Sequence, residues 1–65
     1  MSIRCFAFSV VNKHTGKKLF SVQQVAKTLR SADAKIRNEV WDIGKKYVNN
    51  PKVELDYYCI CAEYV

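Results

Sequence analysis

Only two glycines and one proline punctuate these 65 residues, and they do not cluster. Flexible linkers are rich in Gly and Ser and stiff ones in Pro, so the chain reads as a single domain over residues 1–65. There is no low-complexity tract, and the length is too short for the stacked repeats a solenoid needs. Long apolar runs are also missing. The start, Met1-Ser2-Ile3-Arg4-Cys5-Phe6, has no sustained hydrophobic region of the kind a leader or membrane span requires. The expectation is a soluble, cytoplasmic protein with no membrane partner. Three cysteines agree with an intracellular setting, because an odd number cannot all pair within one chain.

Chemistry-bearing motifs are equally scarce. The sequence has no Gly-rich phosphate loop, no H-E-x-x-H and no C-x-x-C. Its only histidine, His14, sits among lysines, and a Cys5 or Cys59 nucleophile would have no third orienting group. Glu54 and Asp56 share one face of an extended segment and pair most simply with lysines. A closed pocket has little room in a chain of this size. The chain is therefore read as non-enzymatic and without a cofactor. Cys59-x-Cys61 with Cys5 and His14 offers the residue types of a Cys3His zinc site. Two apart on a strand, however, the sulfurs are separated by about 6–7 Å, and zinc knuckles carry their cysteines on turns. The thiols are expected reduced and metal-free.

Apolar residues, by contrast, are abundant. At 49% hydrophobic content the chain is no disordered segment. Eleven Lys and Arg against six Asp and Glu give a net charge of +5, which draws polyanions closer. A chain this short buries only about 60% of its unfolded surface, and oligomerisation is a common remedy.

Ile3 to Asn12 reads as a strand, followed by a Lys13-His14-Thr15-Gly16 turn in which Gly16 supplies positive φ. From Lys17 to about Thr28 the pattern alternates, with Phe20, Val22, Gln24 and Ala26 on one face. This is the return strand of a hairpin. Val22, Val25, Ala26 and Leu29 also lie at helical spacing, and a helix there would remove that strand. A helix is expected from about Ser31, as N-cap, to Val48, with the apolar stripe Ile36, Val40, Ile43 and Tyr47. Asp33 suits its first turn, Lys45 and Lys46 its last, and Lys35–Glu39 and Asp42–Lys46 are supporting pairs four apart. Asn49-Asn50-Pro51 then stops the helix.

The last strand, Val53 to Tyr64, sets Val53, Leu55, Tyr57, Cys59 and Cys61 on one face. Tyr58, Ile60, Ala62 and Tyr64 share the other with Glu54 and Asp56. The expected fold is an α+β domain of order β-β-α-β. A three-stranded antiparallel sheet, order 2-1-3, carries one helix on one face.

The strands of that fold are apolar on both faces. In the first, Ile3, Cys5, Ala7 and Val11 point one way and Phe6, Phe8 and Val10 the other. One helix covers only one face, whereas a half-covered sheet normally reads polar on its open side. The surplus points to a homodimer or a protein partner. Candidate binding residues follow from charge and aromaticity. Lys13, His14, Lys17 and Lys18 make the hairpin tip cationic, fit either for phosphates or for simple solvation. Arg37, Trp41 and Lys45, with Arg30, form a second helical stripe roughly 130° from the apolar one. Trp41 there either anchors a partner or folds over the sheet edge to close the core. Tyr58 and Tyr64, with Ile60, face away from Leu55 and Tyr57, either displayed together on an open sheet face or buried against a second sheet. Aromatics on an open sheet also suit RNA, but the RNA-recognition octapeptide and second helix are lacking.

These features imply a small interaction protein that binds a protein partner through the uncovered sheet face and helix edge. Inhibitors, antitoxins and adaptors have this character, and many such chains are encoded by phages and mobile elements. The alternative is a basic nucleic-acid-binding module that uses the hairpin tip and the Arg/Trp/Lys stripe.

Overall fold

In the computed structural model, which describes residues 3–64, the central strand β1 spans Arg4–Asn12. Its Phe6, Phe8 and Val10 alternate onto one face and are fully buried there. The chain turns at Asn12, whose Oδ1 accepts from the N–H groups of His14 (2.8 Å) and Thr15 (3.2 Å). Gly16 adopts φ 75°, the conformation expected for it.

β2, Lys18–Ala26, runs antiparallel to β1 and brings Phe20, Val22, Gln24 and Ala26 to the face of Val10, Phe8, Phe6 and Arg4. The Val22–Leu29 helix alternative is thereby excluded. The register shifts between Val10 and Val11, because Leu19 is an extra residue.

α1 spans Leu29–Gly44 and begins earlier than expected. Thr28, not Ser31, is the N-cap: its Oγ1 accepts from the Ser31 N–H at 3.1 Å. Both hydroxyl residues suit a cap by type. The buried residues of α1 are Ala32, Ile36, Val40 and Gly44, at a spacing of four. The helix also stops earlier, at Gly44 rather than Val48. The chain folds back here, and Pro51 and Leu55 press against the bare α-carbon of Gly44. Tyr47 consequently leaves the helical stripe and stacks on Phe20, with ring centroids 5.1 Å apart. Lys45 and Lys46 fall beyond the helix, which has no basic residue in its last turn. The side-chain pairs differ as well: Asp33–Arg37 at 3.1 Å and Asp42–Lys45 at 4.0 Å are the ion pairs among the described residues.

A single helical turn, α2, occupies Pro51–Glu54, where the start of the last strand was expected. Proline at the first helical position favours this turn. The Glu54 carboxylate accepts from the Asn50 N–H at 2.8 Å and holds it closed. Val53 is thus exposed on α2 instead of facing a strand.

β3, Leu55–Tyr64, pairs antiparallel with β1 and completes the order β2-β1-β3. Ile60 is a bulge residue: Phe8 faces Cys59 but Ala7 faces Cys61. The extra residue inverts the alternation from there on. Cys61 moves to the face opposite Cys59, and Ala62 and Tyr64 move to the face of Phe6 and Arg4. Strict alternation had grouped these residues the other way.

α1 lies over β2 and part of β1, leaving the same side of β3 largely uncovered. The core is one cluster of Phe6, Phe8, Val10, Val22, Ala26, Ala32, Ile36, Val40 and Leu55. Among the described residues no helix is long and apolar enough to cross a membrane.

Candidate interaction surface

The hairpin tip gathers Lys13, His14, Lys17 and Lys18 in exposed positions, without an ion pair among the described residues. Its backbone is tied down by Asn12, and the Lys13 N–H donates to the Glu54 carbonyl at 2.8 Å. The tip is a hydrogen-bonded turn that carries solvated cations.

The helix stripe is more engaged than its spacing suggests. Arg37 Nη2 pairs with Asp33, and Arg37 Nε donates to Tyr57 Oη at 3.3 Å. The hydrogen bond to Tyr57 and then that to Asp33 raise the guanidinium pKa further above its usual range. Trp41 is half-buried against the core cluster, which matches the core-closing arrangement. Lys52 Nζ sits 4.8 Å from its ring centroid. Lys45 is exposed beside Asp42. Neither the Tyr57 nor the Lys52 contact is visible from local spacing, because both partners come from the chain beyond α1.

The tyrosines of β3 are separated by the bulge. Tyr58 lies opposite Ser9 on the face turned away from α1 and is 53% exposed. Tyr64 lies on the helix side, where α1 does not reach; it is 72% exposed, with the Arg4 guanidinium 5.6 Å from its ring. They do not form one aromatic platform.

The open face carries Cys5, Ala7, Ser9 and Val11 down its centre, flanked by Ser21, Gln23 and Val25 on β2 and by Asp56, Tyr58, Cys61 and Glu63 on β3. Ser9 is only 1% exposed, and its Oγ bonds to no described atom. The alternation of β1 makes both faces apolar, and only the position of α1 decides that this one is left open.

The three cysteines are free. Cys59 Sγ donates to the Cys61 carbonyl at 3.4 Å, while the Cys61 side chain belongs to the other sheet face. Desolvation and then the Glu63 carboxylate push the Cys61 thiol pKa up. Among the described residues no three His, Cys, Asp or Glu side chains converge as a metal site would require.

A groove of about 480 Å3 lies between the start of α1 and β3, lined by Phe8, Leu29, Arg30, Asp33, Tyr57, Tyr58 and Cys59. It was not anticipated, since it exists only because α1 is offset towards β2. No family model matches the chain, and neither a curated protein nor a solved structure matches it significantly.

Proposed function

We propose that this chain is a small non-enzymatic interaction protein of the inhibitor, antitoxin or adaptor type. Its binding surface is the open sheet face together with β3. One observation carries the reading: no described element covers the face turned away from α1, yet its centre is Cys5, Ala7, Ser9 and Val11. Val25, at 47% exposure, and Tyr58 flank that centre. Asp56, Glu63 and Gln23 supply a polar rim. An apolar centre within a polar rim is the make-up of a protein interface. A sheet face evolved only to meet water would alternate to polar residues instead. The nucleic-acid alternative draws less support, because Arg37 is held by Asp33 and Tyr57 and the Trp41 ring already carries Lys52.

The test is a photo-crosslinking amino acid placed at Tyr58, with Glu39 on the exposed side of α1 as control. Crosslinks to polypeptide from Tyr58 and not from Glu39 are expected in the cells that make the protein. Crosslinks only to nucleic acid, or equal yields at the two positions, would refute the reading. Sedimentation of the purified chain identifies the case in which the partner is a second copy.

A further inference from the structure

The groove beside α1 and the outer edge of β3 adjoin. Phe8, Tyr57 and Cys59 form its apolar floor, and Leu29, Arg30 and Asp33 its wall. At about 480 Å3 it accommodates a large apolar group. β3 is the outermost strand, so the groove is open on the side away from the helix. Edge strands are commonly guarded by Lys or Pro. Over its ten residues β3 contains neither, and its guard is the bulge at Ile60.

We propose that this edge takes an extended segment of a different protein by strand addition, one bulky apolar side chain of that segment lying in the groove. This rests on the protein-binding reading above and specifies its partner. An added strand pairs its backbone with the free edge and offers alternate side chains to the two faces. On the groove side it meets Arg30. Asp33 is already answered by Arg37, whereas Arg30 makes no ion pair with a described residue. The segment therefore carries a carboxylate on the same face as its apolar side chain. On the other side it meets Asp56 and Glu63, which call for Lys or Arg.

These demands exclude a second copy. β3 holds two carboxylates and no cation, so pairing it with itself sets like charges on one face. Its groove-side residues supply no carboxylate for Arg30, and β2, the other edge strand, contains no acidic residue at all.

The experiment selects a random displayed library of 12-residue peptides on the immobilised full-length chain. Enriched peptides are synthesised and titrated against wild type, Arg30→Glu and Val25→Lys, both substitutions lying at exposed positions. The expected peptides alternate an apolar–acidic face with a basic one. Arg30→Glu weakens them by at least about tenfold, as loss of a charge pair at an interface does. Val25→Lys leaves them unchanged, and peptide binding slows hydrogen exchange in β3 but not in β2. No enrichment over a control protein overturns the inference. So does binding that survives Arg30→Glu, or a single-stranded oligonucleotide that slows the same β3 amides. Peptides lost on Val25→Lys but not on Arg30→Glu place the partner on the open face, and then this inference fails while the protein-binding reading stands.

Discussion

Replacing Gly44 by alanine sets two effects of known size against each other. Gly44 ends α1 without a positive φ, so alanine is sterically allowed by the backbone and gains up to about 1 kcal/mol in helix propensity. The added methyl, however, would collide with Leu55 Cδ1 and lie 3.2 Å from Pro51 Cβ. Leu55 is itself buried and pairs with Asn12 at the start of β3, and the proline ring cannot rotate away. Overpacking of this kind costs about 1–3 kcal/mol. The clash wins, and Gly44→Ala should destabilise the fold by about 1–2 kcal/mol. For a domain of this size that is a fall in Tm of roughly 4–15 °C.

Urea unfolding followed by circular dichroism measures it, with an unchanged m-value showing that the two end states are the same. A double mutant isolates the contact. Leu55→Ala alone should cost about 2–5 kcal/mol, and adding Gly44→Ala to it should cost nothing or return up to about 1 kcal/mol. If Gly44→Ala stabilises the wild-type chain, or if the two losses simply add, the docking of Leu55 and Pro51 on Gly44 is refuted.

Three further outcomes follow from other contacts. Thr28→Ala should cost about 1 kcal/mol and Ser31→Ala under half as much, since the Thr28 hydroxyl caps α1; the reverse order in thermal unfolding would return the cap to Ser31. Trp41→Ala should lower stability by about 2 kcal/mol, below the roughly 3–5 of a fully buried Trp because the ring is only partly buried; a loss under about 0.5 kcal/mol, the range of an unconstrained surface site, would deny the ring its core contact. Because the folded Cys61 thiol has its pKa raised, the folded state holds that proton more tightly than the unfolded state, and stability falls as pH rises through and above about 8.5. Cys61→Ala should flatten that part of the pH profile, and an equal slope in the variant would contradict the assignment.

Much of the architecture was legible before any coordinates. β1 alternates Phe6, Phe8 and Val10 against smaller residues, and Ile36 and Val40 mark the buried side of the helix. Strand order came from geometry: a helix returning over the sheet leaves a place for β3 beside β1 and antiparallel to it. The candidate surface was legible only in part. Trp41, Arg37 and the tip lysines were found by residue type and spacing, but Tyr57 and Lys52, which engage Arg37 and Trp41, lie in later elements.

The sequence by itself determined the three strands and the main helix, their order, and the hairpin turn at Lys13–Gly16. These depend on near neighbours, through side-chain periodicity and backbone preference. Only the tertiary structure decided where α1 begins and ends, where the bulges fall, and which side of β3 each residue takes. One inserted residue at Ile60 turns Cys61 and Tyr64 to opposite faces from those strict alternation assigns. Nothing local marks that insertion, because the free energy of a bulge is settled by the packing of β3 across β1. The offset of α1 towards β2, which opens the groove at β3, is likewise set by the fit of Ala32, Ile36, Val40 and Gly44 against their neighbours.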